Sequence, residues 1–247
     1  MTNKYSNMDI SIKNINYQAE CLDGLVFFDF YDPSQQRIIS RELNKMNDII
    51  YLFNGGNDLS ERKMLCIYQK DHSKKFDWPI SIVSININYE ITHRVVLGSI
   101  LNLGITRETI GDIIIADNEV QIIAKTHIAK YIYSNLYDFN KRPFKMELKP
   151  IKEIKRREQK YLIDKVIVTS FRIDAIISSA YGISRALSTD MIKKGGVKVN
   201  YEYIYKTSIS VQIKDMISVK GKGRFIIDEL LGSTKKGRKK IQIKKYL

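Results

Sequence analysis

Nine basic side chains define the chemistry open to this chain: Arg172, Arg185, Lys193, Lys194, Lys198, Lys206, Lys220, Lys222 and Arg224. They are threaded through residues 170–225, among apolar positions that read as a packed core. Ammonium and guanidinium groups on the polar side of such a stretch suit phosphate, and the planar fork of Arg permits bidentate contacts. From residue 165 to residue 247 there are 18 Lys and Arg against 6 Asp and Glu, a net of +12. The whole 247-residue chain carries +14, so its last third holds nearly all of the excess. A lysine run is often only a solvated face, but charge concentrated to this degree is the footprint of a phosphate-backbone ligand.

Other chemistries lack their residues. His72, His93 and His127 are scattered, with no cysteine or carboxylate grouping to hold a metal. Cys21 and Cys66 form no disulfide framework and read as small core residues in a reducing compartment. Gly55-Gly56 sits between two strand patterns without a following helix start or Walker motif. It reads as a plain turn, with a phosphate cradle as the alternative. No catalytic residue, cofactor or metal is therefore expected. The first ten residues lack the apolar segment of a signal peptide, and no apolar run approaches the ~18 residues needed to span a bilayer. A soluble, cytoplasmic protein is expected.

The elements that must position the basic residues follow from pattern. Ser170 is placed to cap a helix carrying Phe171, Ile173, Ile176 and Ile177. Ser184 is placed to cap a second, with Ile183, Leu187 and Met191 four apart on the face expected to be buried. Gly195-Gly196 should stop that helix. Val197 and Val199 alternate with Lys198 and Asn200 as a strand, and Val211, Ile213, Ile217 and Val219 suggest further strands. Gly221-Lys222-Gly223 reads as a turn.

The rest of the chain is nearly neutral at its start, with 10 basic and 11 acidic residues in the first 80. Ile10, Ile12 and Ile15 hint at a first helix. Asp32-Pro33 is a helix start, with Ile38, Ile39, Leu43 and Met46 as its apolar face. Strands are expected at 49–53 and 64–68. Residues 80–149 run strand, helix capped by Thr92, two strands joined at Asp117-Asn118, helix capped by Thr126 and extending to about Phe139, then a strand at 143–148. That β-α-β-β-α-β order is ferredoxin-like, the order RNA-recognition motifs also use. Such motifs stack bases on aromatic residues of their central strands; ISIVSIN and VQIIAK offer none. Residues 151–168 read as a charged linker in which Lys155, Arg156 and Arg157 could touch RNA. The expected class is α+β: an N-terminal α/β domain over 1–79, a ferredoxin-like domain over 80–150, the linker, and an RNA-binding domain over 169–247.

Residues 170–225 resemble the S-four RNA-binding domain, or αL motif. The matching residues are Phe171-Arg172-Ile173-Asp174, Ser184-Arg185-Ala186, Ile192 through Asn200, Lys206, Asp215 through Val219, and Lys220 through Phe225. The resemblance implies structured-RNA binding through the two-helix face and the adjacent hairpin. By it Ser184 and Asn200 join the nine basic residues as RNA-binding positions. Asp174 reads as structural.

Further segments narrow the likeness: Phe53-Asn54-Gly55-Gly56, Glu61-Arg62-Lys63, Thr92-His93-Arg94, Leu97-Gly98, Leu103-Gly104-Ile105, Arg107 and Ile110-Gly111-Asp112-Ile113. In this order they resemble the YlmH family of bacterial proteins. One departure stands out, Val95 where the family commonly has Asp. The resemblance implies a ribosome-associated RNA-binding protein with rRNA, tRNA and the large subunit as partners, acting in quality control of stalled nascent chains. A monomer that uses neither membrane nor DNA is expected. Gly55, Gly56, Arg62, Lys63, His93, Arg94, Arg107 and Asp112 would form a second functional surface. The reading from another class is an RNA-modifying enzyme, a pseudouridine synthase or rRNA methyltransferase, with the S-four domain holding its substrate.

Overall fold

The computed structural model describes residues 3–72, 75–116, 118–155 and 161–246. Its chain divides into two compact units, 1–157 and 158–247. Both N-terminal segments fall within the first.

Unit 1 begins with α1 (Asn3–Glu20), β1 (Leu25–Tyr31), α2 (Pro33–Leu43), β2 (Ile49–Asn54) and β3 (Lys63–Gln69). The start of α2 obeys its sequence. Asp32 accepts hydrogen bonds from the Ser34 and Gln35 amides, and the Gln35 side chain reaches back to the Asp32 amide. Such a capping box stabilises a helix by about 1 kcal/mol. The strands form an antiparallel sheet in the order β1-β3-β2, whose β1 escapes the sequence reading although LVFFDFY is apolar at every position but Asp29. One face of the sheet, with Phe28, Tyr31, Leu65 and Ile67, packs under α1 and α2 against Ile15, Ile39 and Leu43.

The second half of unit 1 holds β4 (Ile80–Asn86), α3 (His93–Asn102), β5 (Ile110–Ala116), β6 (Glu119–Lys125), α4 (Thr126–Asn135), the short pair β7 (Asp138–Phe139) and β8 (Arg142–Pro143), and β9 (Lys145–Pro150). The sheet order is β5-β6-β4-β9 with every neighbour antiparallel. With a helix after the first and third of these strands, that is ferredoxin-like topology. Thr92 caps α3 by accepting from the Val95 amide. Thr126 instead is the first residue of α4 and makes no cap; its hydroxyl lies 3.0 Å from that of Ser81. Nor does α4 run to Phe139. It stops at Asn135, and Phe139 enters the hairpin β7–β8, fully buried.

The two sheets of unit 1 pack against each other. Alternation on β1 and β3 puts Phe30 and Met64 on the face opposite the helices, against Ile80, Ile82, Ile114 and Ile123 of the four-stranded sheet. Trp78, Ile151 and Ile154 complete this layer, while α3 and α4 cover the other face. The sheet face on which an RNA-recognition motif would stack bases is thus occupied by protein.

Unit 2 contains β10 (Tyr161–Val168), α5 (Ile173–Tyr181), α6 (Arg185–Lys193), β11 (Val197–Val199), β12 (Glu202–Tyr203), β13 (Met216–Val219), β14 (Gly223–Ser233) and β15 (Lys239–Tyr246). They form one antiparallel sheet, β10-β15-β14-β13-β11-β12, with α5 and α6 on one face over Ile217, Phe225, Ile227, Ile241 and Ile243. The expected linker is therefore partly strand: β10 pairs with β15 over all eight of its residues. Lys155 donates its amide to Gln121 and pairs with Glu119 through its side chain, so it is tied to unit 1. Arg156 and Arg157 lie outside the described residues. Val211 is buried without joining a strand, and Ile213 is exposed in a turn.

Candidate nucleic-acid interface

The two helices of unit 2 meet around one carboxylate. Asp174 lies in the first turn of α5, with its side chain only 6% exposed. Arg172 Nε donates to its Oδ1 at 3.1 Å, and Arg185 Nη2 donates to its Oδ2 at 2.6 Å. Burial alone would raise the Asp174 carboxyl, but the hydrogen bonds from Arg172 and Arg185 outweigh it and hold the group below the ordinary carboxylate range. Its own bond to Asp174 raises the Arg172 guanidinium. Both arginines remain open to solvent, with side chains 43% and 55% exposed. One buried acid thus holds two outward-facing guanidinium groups at fixed positions, an arrangement prepared for an anion.

The local fold explains this placement. Ser170 does not cap α5; Arg172 occupies the cap position with no side-chain cap bond. The Phe171 carbonyl and the Ile173 amide instead bond to Val211 and Ile209, tying the helix start to the loop before β13. Ser184 caps α6 by accepting from the Leu187 amide at 3.2 Å. The buried face of α6 is only partly the expected one. Ile183 and Met191 pack half-buried against the core, but Leu187 is 46% exposed, and Ser188 and Ile192 are inside. Ser188 donates to the Asp174 carbonyl at 2.9 Å, a hydrogen bond that lets a polar residue occupy the helix contact and that an apolar-period search passes over.

Lys193 and Lys194 follow on the last turn of α6, exposed, with Lys194 paired to Asp190 at 2.8 Å. The helix ends where Gly195 adopts φ of 68° and the Gly196 amide donates back to the Met191 carbonyl, a Schellman closure. Lys198 on β11 lies over the Tyr203 ring at 4.5 Å, and Arg224 on β14 over Tyr246 at 4.8 Å. Lys206, Lys220 and Lys222 are exposed, the last two around the β13–β14 turn. Asn200 is different. With φ of 49°, it donates to Asp215 and accepts from the Met216 amide, so its side chain holds the loop.

The second expected surface is mostly internal. Arg62 donates to the carbonyls of Ile110, Phe30 and Arg107. Arg107 donates to those of Ile110 and Gly111. Asp112 accepts from the Glu61 and Arg62 amides. Burial lowers both guanidinium groups, Arg107 to about 10, and raises Asp112. These three residues stitch the β2–β3 loop and β1 to β5. Gly55 and Gly56 serve the same junction. A Cβ on Gly55 would come within 2.6 Å of the Arg62 carbonyl, and one on Gly56 (φ 101°) within 2.6 Å of Ile151 Cδ1. The pair is a tight packed turn. His93 and Arg94 are exposed at the start of α3, Lys63 is half-buried at the start of β3, and Val95 packs on the core. No group of His, Cys, Asp and Glu among the described residues is disposed to hold a metal.

Known proteins resemble this chain in sequence or in fold. Residues 73–153 match the family model "Putative RNA-binding domain in YlmH". A curated relative, "Ribosome-associated protein quality control protein P2" of Bacillus subtilis, is 28% identical over 215 residues, spanning 85% of this chain and 83% of its own. A solved structure, "Cell division protein ylmH from Streptococcus pneumoniae", has a similar fold over 63% of this chain and 97% of its own, with a TM-score of 0.54 at 18% identity. The α+β class agrees with it. No described helix is long and apolar enough to cross a membrane.

Proposed function

We propose that this chain is a non-catalytic RNA-binding protein that associates with the ribosomal large subunit, contacts rRNA and tRNA, and acts in quality control of stalled nascent chains. The observation that carries this reading is the Asp174 carboxylate holding Arg172 and Arg185 outward on a surface continued by Lys193, Lys194 and the β13–β14 turn. In this reading residues 169–247 are the S-four RNA-binding domain, and the ferredoxin-like part is supporting structure with its exposed α3 start in reserve. The name of the Bacillus relative supports the ribosomal setting.

The test is co-sedimentation of tagged protein with purified large subunits, followed by cross-linking and RNA sequencing. Binding with cross-links concentrated at α5–α6 supports the proposal. Failure to pellet at low salt would sink it. Loss of one modified rRNA nucleoside on deleting the gene would favour the enzyme reading instead.

A further inference from the structure

The long hairpin β14–β15 ends in a run that the α5–α6 face does not include: Lys235, Lys236, Gly237, Arg238, Lys239 and Lys240. Five of these six residues are basic, and the chain has no acidic residue from 230 to its end. The turn itself is fixed. The Thr234 amide donates to the Arg238 carbonyl at 2.7 Å, and the Arg238 amide donates to Thr234 Oγ1 at 3.1 Å. Register shifts at Ile227/Glu229 and Leu230/Gly232 bend the strand that leads to it. Lys235, Lys236, Arg238 and Lys240 are exposed.

One contact ties this tip to the first site. Lys239 Nζ lies over the Phe171 ring at 5.5 Å, and Phe171 adjoins Arg172, the residue bound to Asp174. Positive charge therefore continues from the two-helix face, past Lys239, to the tip. Residues 232–240 include no aromatic or aliphatic side chain, so the tip itself offers cations in place of an aromatic stacking platform or an apolar anchor. Exposed cations on a rigid turn suit phosphates read without regard to sequence.

We propose that the β14–β15 tip is a second RNA contact, gripping the phosphate backbone of a base-paired stem beside the α5–α6 face. The proposal rests on the RNA-binding reading of that face. A base-paired stem is favoured over a flexible strand because a fixed turn is complementary to phosphates held at fixed spacing.

The experiment uses the full chain carrying Lys235→Ala, Lys236→Ala and Arg238→Ala together, with Arg185→Ala/Lys193→Ala as comparison. Thr234 and Gly237 are untouched, so melting should match wild type; a Lys235→Arg/Lys236→Arg chain controls for fold and should bind as wild type. Probes are an RNA stem-loop of arbitrary sequence, a single strand of equal length, and phosphatidylserine vesicles. For the stem-loop we expect at least a roughly tenfold loss and a log–log salt slope shallower by about 2–3, given ~0.7–0.9 per phosphate contact. The single strand should lose less. Wild-type affinity and slope in the triple variant, with loss in the Arg185/Lys193 pair, would overturn the tip and leave the first reading standing. No change in either variant would overturn both. Loss of vesicle binding with RNA binding intact would assign the tip to anionic lipid and overturn the proposal.

Discussion

Arg185 is exposed on α6, yet it is more than a surface cation, because its guanidinium is bonded to the buried Asp174 on the other helix. Removing it leaves a buried carboxylate with Arg172 as its remaining guanidinium. Arg185→Ala is therefore expected to destabilise by about 1 kcal/mol, more than a plain surface change, with Arg185's own exposure limiting the loss. RNA affinity should fall by roughly 1–3 kcal/mol. In a thermal-melting cycle with Asp174→Asn, the stability losses should be less than additive; strict additivity would mean the pair is not coupled. Glu119 gives a second prediction at this scale. Burial would raise its carboxyl, but hydrogen bonds from Lys155, Ser84 and Gln121, with the charge of Lys149, depress it from 4.5 to about 2. A depressed carboxylate contributes stability above its unfolded value and loses it as pH falls through the folded one. The wild-type advantage over Glu119→Gln should thus be full above about pH 5 and decline as pH falls toward 2. A difference in urea midpoint that is flat with pH would show that the carboxylate is not coupled to folding.

At the scale of elements, local patterns were readable and long-range ones were not. The helix start at Asp32-Pro33, the Thr92 and Ser184 caps and the β-α-β-β-α-β order all depend on neighbours within a few residues or on a simple period. Ser170 and Thr126 have the residue type of a cap, but the backbone starts each helix elsewhere because Phe171 is tied to Val211 and Thr126 to Pro79. The strand β10 looked like linker because its exposed Leu162, Ile163 and Ile167 break the alternation of a half-buried strand; its pairing with β15 lies some 80 residues away in sequence. Arg62, Arg107 and Asp112 fit an RNA surface by residue type alone. Only the fold shows their charges turned onto backbone carbonyls and amides. Arg62→Ala should destabilise unit 1 by about 2–4 kcal/mol, because buried acceptors lose a charged donor, without changing the RNA affinity of the folded protein. Gly56→Ala should cost about 2 kcal/mol or more, combining positive-φ strain with a clash at Ile151. Urea unfolding alongside RNA titration checks both. Arg62→Ala with normal stability and lost RNA binding would restore it to the interface.

Over the whole molecule, charge and family description point to different units. The RNA-binding family model covers residues 73–153, which hold 11 basic and 9 acidic residues. Unit 1 as a whole has 22 against 19, and unit 2 has 19 against 8, a net of +11. Counterion release scales with the phosphates neutralised, so the salt dependence of RNA binding should belong to unit 2. That unit has its own apolar core, from Ile173 and Ile177 on α5 to Phe225, Ile227 and Ile243 in the sheet, and should fold when expressed as residues 158–247. The expected result is a cooperative melt for this fragment and a log–log salt slope within about one of the full chain's, whereas the 1–157 fragment shows a slope near zero to one. The measurement is filter binding of both fragments and the full chain to one RNA stem-loop across a salt series. A steep slope in fragment 1–157 would move the main RNA surface to the ferredoxin-like part. With its sheet covered on both faces, the contacts would then have to come from helix ends and loops, with His93 and Arg94 the first side chains to replace.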